Sequence, residues 1–121
     1  MLTLKASDTN TLRIKDLILT NNNITELHTT NVIIDNIIIT NNTIKKYNLH
    51  GSFPKLNISD NVTTHFTLNS LTDKGMDITL STTALQSLEL QGKINKFINS
   101  SKAVSCNSVN LLNLDSKDLT L

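Results

Sequence analysis

The sequence is nearly without aromatic side chains: no tryptophan, one tyrosine and three phenylalanines, 3% of its residues. Its hydrophobic content, 38% of 121 residues, must therefore pack as aliphatic side chains on one another, which favours thin, repetitive architectures over a globule centred on rings. One proline and three glycines leave little punctuation for sharp loops. The single cysteine, Cys106, excludes an intramolecular disulfide and a thiolate metal cluster, and reads as a buried thiol. Excess charge is missing as well. Eleven basic and ten acidic residues spread along the chain give a net charge of +1, so neither the basic stripe of a nucleic-acid binder nor the acidic surface of a nucleic-acid mimic is present. Lys45-Lys46, the only basic doublet, reads as a solvated pair.

What is present is asparagine, threonine, isoleucine, leucine and a period. Leu17-Ile18-Leu19-Thr20-Asn21-Asn22-Asn23-Ile24 returns 20 residues later as Ile37-Ile38-Ile39-Thr40-Asn41-Asn42-Thr43-Ile44. Within that repeat an apolar-x-apolar pair recurs every five residues, as Leu12/Ile14, Leu17/Leu19, Val32/Ile34, Ile37/Ile39 and Tyr47/Leu49. Alternation is the signature of strands, whose successive side chains point to opposite faces, and no convincing helical face is found. Short strands joined by one-residue corners give a five-residue side, and four sides close a coil of about 20 residues.

The marker can be followed as Leu17, Ile37, Leu56, Ile78, Ile98 and Leu119 at intervals of 20, 19, 22, 20 and 21 residues, predicting six coils. Ten residues after each marker stand Leu27, Tyr47, Phe66, Leu88 and Val109, with Ser7 in the same place of the incomplete first coil. The predicted fold is all-β: one domain over residues 1–121, a parallel β-helix (solenoid) of six coils. Asn22, Asn42 and Asn61 share an inward slot in consecutive coils, where stacked amides can satisfy one another and the corner backbone; Thr83 and Val104 follow them, ending the ladder. Gly51, Gly75 and Gly92 fall on one side of the coil with Pro54, which predicts loops there from the third coil onward and a cross-section narrowing from four sides toward three. Residues 93–108 fit the rhythm least, and Ile94, Phe97 and Ile98 could instead open a short helical turn.

The five-residue period with four sides per coil resembles the pentapeptide-repeat family, and the likeness implies a quadrilateral β-helix. The sequence departs from that family's pattern in filling both inward slots with large residues, as in Leu17 with Leu19, and in lacking its glycine and alanine. In length and architecture the chain is also similar to bactofilins, solenoids that polymerise end to end, without their glycine content. An alternative resemblance is to leucine-rich repeats: Leu17-x-Leu19-x-x-Asn22-x-Ile24-x-x-Leu27 and Ile37-x-Ile39-x-x-Asn42-x-Ile44-x-x-Tyr47 fit that consensus, which would imply one strand per coil on a partner-binding face.

Chemistry-bearing residues are sparse. His28, His50 and His65 are the only histidines, and in the predicted alignment no two occupy the same column, so no shared metal or acid-base site is expected. Asp73 and Asp77 flank Gly75 without a nucleophile or phosphate-cradling loop nearby and read as turn carboxylates. Thr20, Thr40 and Ser59 form a short outward polar column of the kind that binds ice or polysaccharide. No catalytic residue, metal or cofactor is assigned, and an enzyme is the class the sequence supports least.

A stack of coils leaves strand edges at both ends. The rhythm runs from Leu2-Thr-Leu4 to Leu119-Thr-Leu121 with no capping segment visible. The expected function is therefore structural: self-assembly into a homopolymer or homo-oligomer through Leu2, Leu4, Leu12, Ile14, Leu112, Leu114, Leu119 and Leu121. The alternative is a binding or adhesion module, such as a viral tail or surface β-helix. No nucleic-acid partner is expected. Nor does any apolar run approach the length of about 18 residues that spans a membrane, and the N-terminus lacks the features of a cleaved signal, so the expected location is cytoplasmic or virion-associated.

Overall fold

The computed structural model describes residues 1–5, 11–72, 75–83, 85–99, 108–116 and 118–120. They form one sheet of eleven strands: β1 (Leu2–Lys5), β2 (Leu12–Thr20), β3 (Asn23–Thr40), β4 (Thr43–Ser52), β5 (Lys55–Val62), β6 (His65–Ser70), β7 (Asp77–Thr83), β8 (Ser87–Lys93), β9 (Lys96–Asn99), β10 (Ser108–Asp115) and β11 (Asp118–Thr120). Every strand pairing among them is parallel. The chain is a β-solenoid.

Two stacks of strands dominate. The marker face runs through β2, the end of β3, β5, β7, β9 and β11, aligning Leu17, Ile37, Leu56, Ile78, Phe97 and Leu119. The second face runs through β1, the start of β3, β4, β6, β8 and β10, aligning Leu2, Leu27, Tyr47, Phe66, Leu88 and Val109. Apolar strands thus stand on two faces of the coil, not the single face of a leucine-rich repeat, and that alternative is set aside.

Three expectations are corrected in detail. The solenoid has about five turns, not six, because the six rungs of each stack bound five intervals. Ile98 is not the fifth marker: Phe97 pairs with Ile78, while Ile98 pairs with Thr79 on the outward register. Phe97 and Ile98 are both apolar neighbours, so the pattern leaves a one-residue ambiguity that flips the face, and the larger ring takes the interior, fully buried. Leu2 pairs with Leu27 and fills the slot assigned to Ser7, which lies outside the described residues.

The interior is aliphatic, with an aromatic group at its middle. Tyr47 and Phe66 stack at 5.4 Å between ring centroids, and Phe66 meets Phe97 across the core at 6.5 Å. Burial pushes the Tyr47 phenol pKa well up, with the Thr63 hydroxyl offsetting part of that shift. From Leu27 to Phe97 the inward apolar residues are 0–2% exposed.

Corners explain the asparagines. Asn21, Asn31 and Asn41 have φ of 58°, 54° and 59°, the left-handed region that asparagine tolerates better than other residues with a Cβ. One residue further on, the inward ladder forms. Asn42 donates from its amide to Leu19 O (2.8 Å) and Thr40 O (2.9 Å), and its Oδ1 accepts the Asn22 N–H (2.7 Å). Asn61 repeats this one coil on, donating to Ile39 O (3.2 Å) and to Ser59 O while accepting the Asn42 N–H (3.1 Å). Asn22, on the first coil, keeps only the bond to its own corner at Thr20 O and is exposed. The next rung is Thr82, not Thr83, which pairs with Val62 on the outward register; Val104 lies outside the described residues.

The glycine side follows composition only in part: Gly51 lies within β4 and Gly92 within β8, and Lys93 pairs with Asp115, so strand persists on that side beyond the second coil. Leu12 and Ile14 pair with Val32 and Ile34 there, and Gly51 and Ser52 continue the ladder. Beyond them Phe53-Pro54, Leu71-Thr72, Gly75-Met76 and Ile94-Asn95 are not strand. A Cβ at Gly51 would run into the Val32 carbonyl, so the close approach of adjacent coils requires glycine at that corner.

Candidate functional site

The two ends of the solenoid differ from its middle. The inward residues of the first coil, Leu2, Leu4, Leu12, Ile14, Leu17 and Leu19, pack against the core on one side and are only partly buried. At the other end Leu114 is partly buried in the same way, and Leu111 and Leu119 are 41% and 36% exposed. The alternation that buries a residue in an inner coil needs a coil on each side, and an end rung has one.

Among the residues singled out from the sequence, Leu2, Leu4, Leu12, Ile14, Leu114 and Leu119 stand on inward columns of these end rungs. Leu112 does not. It pairs with Gln91 on the outward register, and Leu111, which pairs with the fully buried Leu90, is the inward residue of β10. The run Leu111-Leu112 carries the same ambiguity as Phe97-Ile98. Leu121 lies outside the described residues.

The flank of the second face carries a polar cluster that column-by-column reading missed. His28 stacks on Asn48 and His50 on Asn69, in different columns as expected, yet His50 stands two residues beyond Asn48 on the same outward face, and across that diagonal the His28 and His50 rings lie 6.4 Å apart between centroids. His50 Nε2 lies 2.8 Å from Asn48 Oδ1 and its Nδ1 lies 3.5 Å from Asn69 Nδ2. An Nε2–H donor with an Nδ1 acceptor satisfies both, the arrangement of a neutral imidazole. Burial lowers the His50 pKa, His28 lowers it further and Glu89 opposes both. Glu26 lies 3.7 Å from His28. His65 is elsewhere, bonded to Ser87 at 2.6 Å. Among the described residues no three histidine, cysteine, aspartate or glutamate side chains converge as a metal site.

On the glycine side lies an open hollow of about 430 Å3, walled by Arg13, Asp35, Ser52, Pro54 and Thr72 among others. Its charged residues are spent on each other in an exposed Arg13–Asp35 pair at 3.2 Å. The marker face carries the outward column Thr20, Thr40 and Ser59, beside the exposed Ile18 and Ile38. Asp77, one of the two turn carboxylates, stacks between Lys55 and Lys96; Asp73 is outside the described residues. Among those residues no helix is long and apolar enough to cross a membrane.

No protein-family model, curated protein or solved structure matches this chain. Its likeness to pentapeptide-repeat proteins and bactofilins is one of architecture.

Proposed function

We propose that this chain is a structural, non-enzymatic protein that assembles with copies of itself through its end coils. One observation carries the reading: the inward apolar residues from Leu27 to Phe97 are 0–2% exposed, whereas Leu111 and Leu119 at the last rung stand at 41% and 36% and those of the first rung are only partly buried. Each end also presents the edge of a parallel strand, whose N–H and C=O groups are a template for another strand. Covering the apolar rungs stabilises association by roughly 25 cal/mol per Å2 of buried apolar surface, and strand pairing adds direction.

Sedimentation velocity over a micromolar concentration series tests it. The mean mass should rise with concentration for the parent chain and stay monomeric for Leu4→Asp and Leu119→Asp variants with unchanged circular dichroism. A parent chain that remains monomeric throughout contradicts the proposal.

A further inference from the structure

The joint between copies has a definite polarity and register. We infer that it is head to tail: β10 of one copy pairs in parallel with β1 of the next, and β11 pairs with the Asp16–Thr20 part of β2. The inference rests on the self-assembly reading above and specifies its geometry.

The two ends share one phase of the coil. The first rung enters on the second face with β1 and reaches the marker face with β2; the last rung enters on the second face with β10 and reaches the marker face with β11. The two ends therefore sit at the same point of the coil, and a second copy placed after the first continues the same ascent with parallel strands, as in every pairing the molecule already makes. The inward columns then run on unbroken, Leu111 onto Leu4 and Leu119 onto Leu17, in the columns that hold Leu49, Leu68 and Leu90 on one face and Ile37, Leu56 and Ile78 on the other.

Charge bears on the joint at one place. A single outward pair opposes the joint: Asp118 belongs to the column of Lys96, Asp77, Lys55, Asn36 and Asp16, so it comes to lie over Asp16 of the next copy. Like charges directly opposite on neighbouring strands weaken a pairing.

Single cysteines on the middle outward column of the second face read out this register. Thr3, His28, Asn48, Thr67, Glu89 and Asn110 form that column, and Thr3 and Asn110 are exposed, so replacing either leaves the core intact. In the register inferred they become direct neighbours across the joint, at the strand spacing of about 4.8 Å, within the reach of a disulfide. Thr3→Cys and Asn110→Cys chains, each with Cys106→Ala, are oxidised separately and mixed, with sedimentation run in parallel. The expected result is a covalent dimer in the mixture only. Dimers in either variant alone, from chains that do associate, overturn the polarity while leaving self-assembly standing; chains that do not associate overturn the underlying reading. As an independent check, Asp118→Lys should tighten association about 2- to 5-fold, and an unchanged or weaker association overturns the register.

Discussion

At the scale of single residues, the asparagine ladder converts a costly inward polar group into a fixed corner. Asn42 is 3% exposed, and its side chain holds backbone groups of its own coil, at Thr40, and of the preceding coil, at Leu19 and Asn22. Asn42→Ala removes these three bonds and should destabilise the fold by about 2–4 kcal/mol, given that each orphaned buried group costs about 1–3 kcal/mol. Asn22→Ala, on the exposed end rung, should cost under about 1 kcal/mol, and urea unfolding of the two variants measures the difference. His50 makes a second prediction, for which the sign follows from its lowered pKa. The unfolded chain takes up the proton first as pH falls, so stability is retained above the ordinary histidine range near pH 6.5 and declines as pH falls below it. Thermal unfolding between pH 7.5 and pH 5 should show that decline, and His50→Gln should flatten it.

At the scale of elements, the sequence makes some features plain and hides others for a physical reason. Strand alternation, the 20-residue echo from Leu17 to Ile37 and the Asn22–Asn42–Asn61 column can all be read directly, because a half-exposed polar surface and a buried apolar interior impose opposite residue types at alternate positions. Register is lost wherever two apolar residues stand together, as at Phe97-Ile98 and Leu111-Leu112, since either could face inward. The approach of His28 to His50 escapes a reading confined to columns, because it runs diagonally, one rung across and two residues along. Glycine is the better guide. Gly51→Ala should cost about 1–3 kcal/mol by forcing a methyl group onto the Val32 carbonyl, measured by the same urea unfolding.

At the scale of the whole molecule, the fold is a stack whose interior rungs are buried and whose outermost described rungs are partly exposed. The histidines of the middle coils are engaged with asparagine, threonine and serine neighbours. In the assembly proposed above, a second copy would cover the partly exposed end rungs with the same contacts that join coils within one chain. The most direct test is electron cryomicroscopy of the purified chain at micromolar concentration. Filaments or short rods one solenoid wide, with a spacing of about 4.8 Å running unbroken along the axis from copy to copy, are the expected result; monodisperse single particles with the Leu4 and Leu119 rungs open to solvent would contradict it.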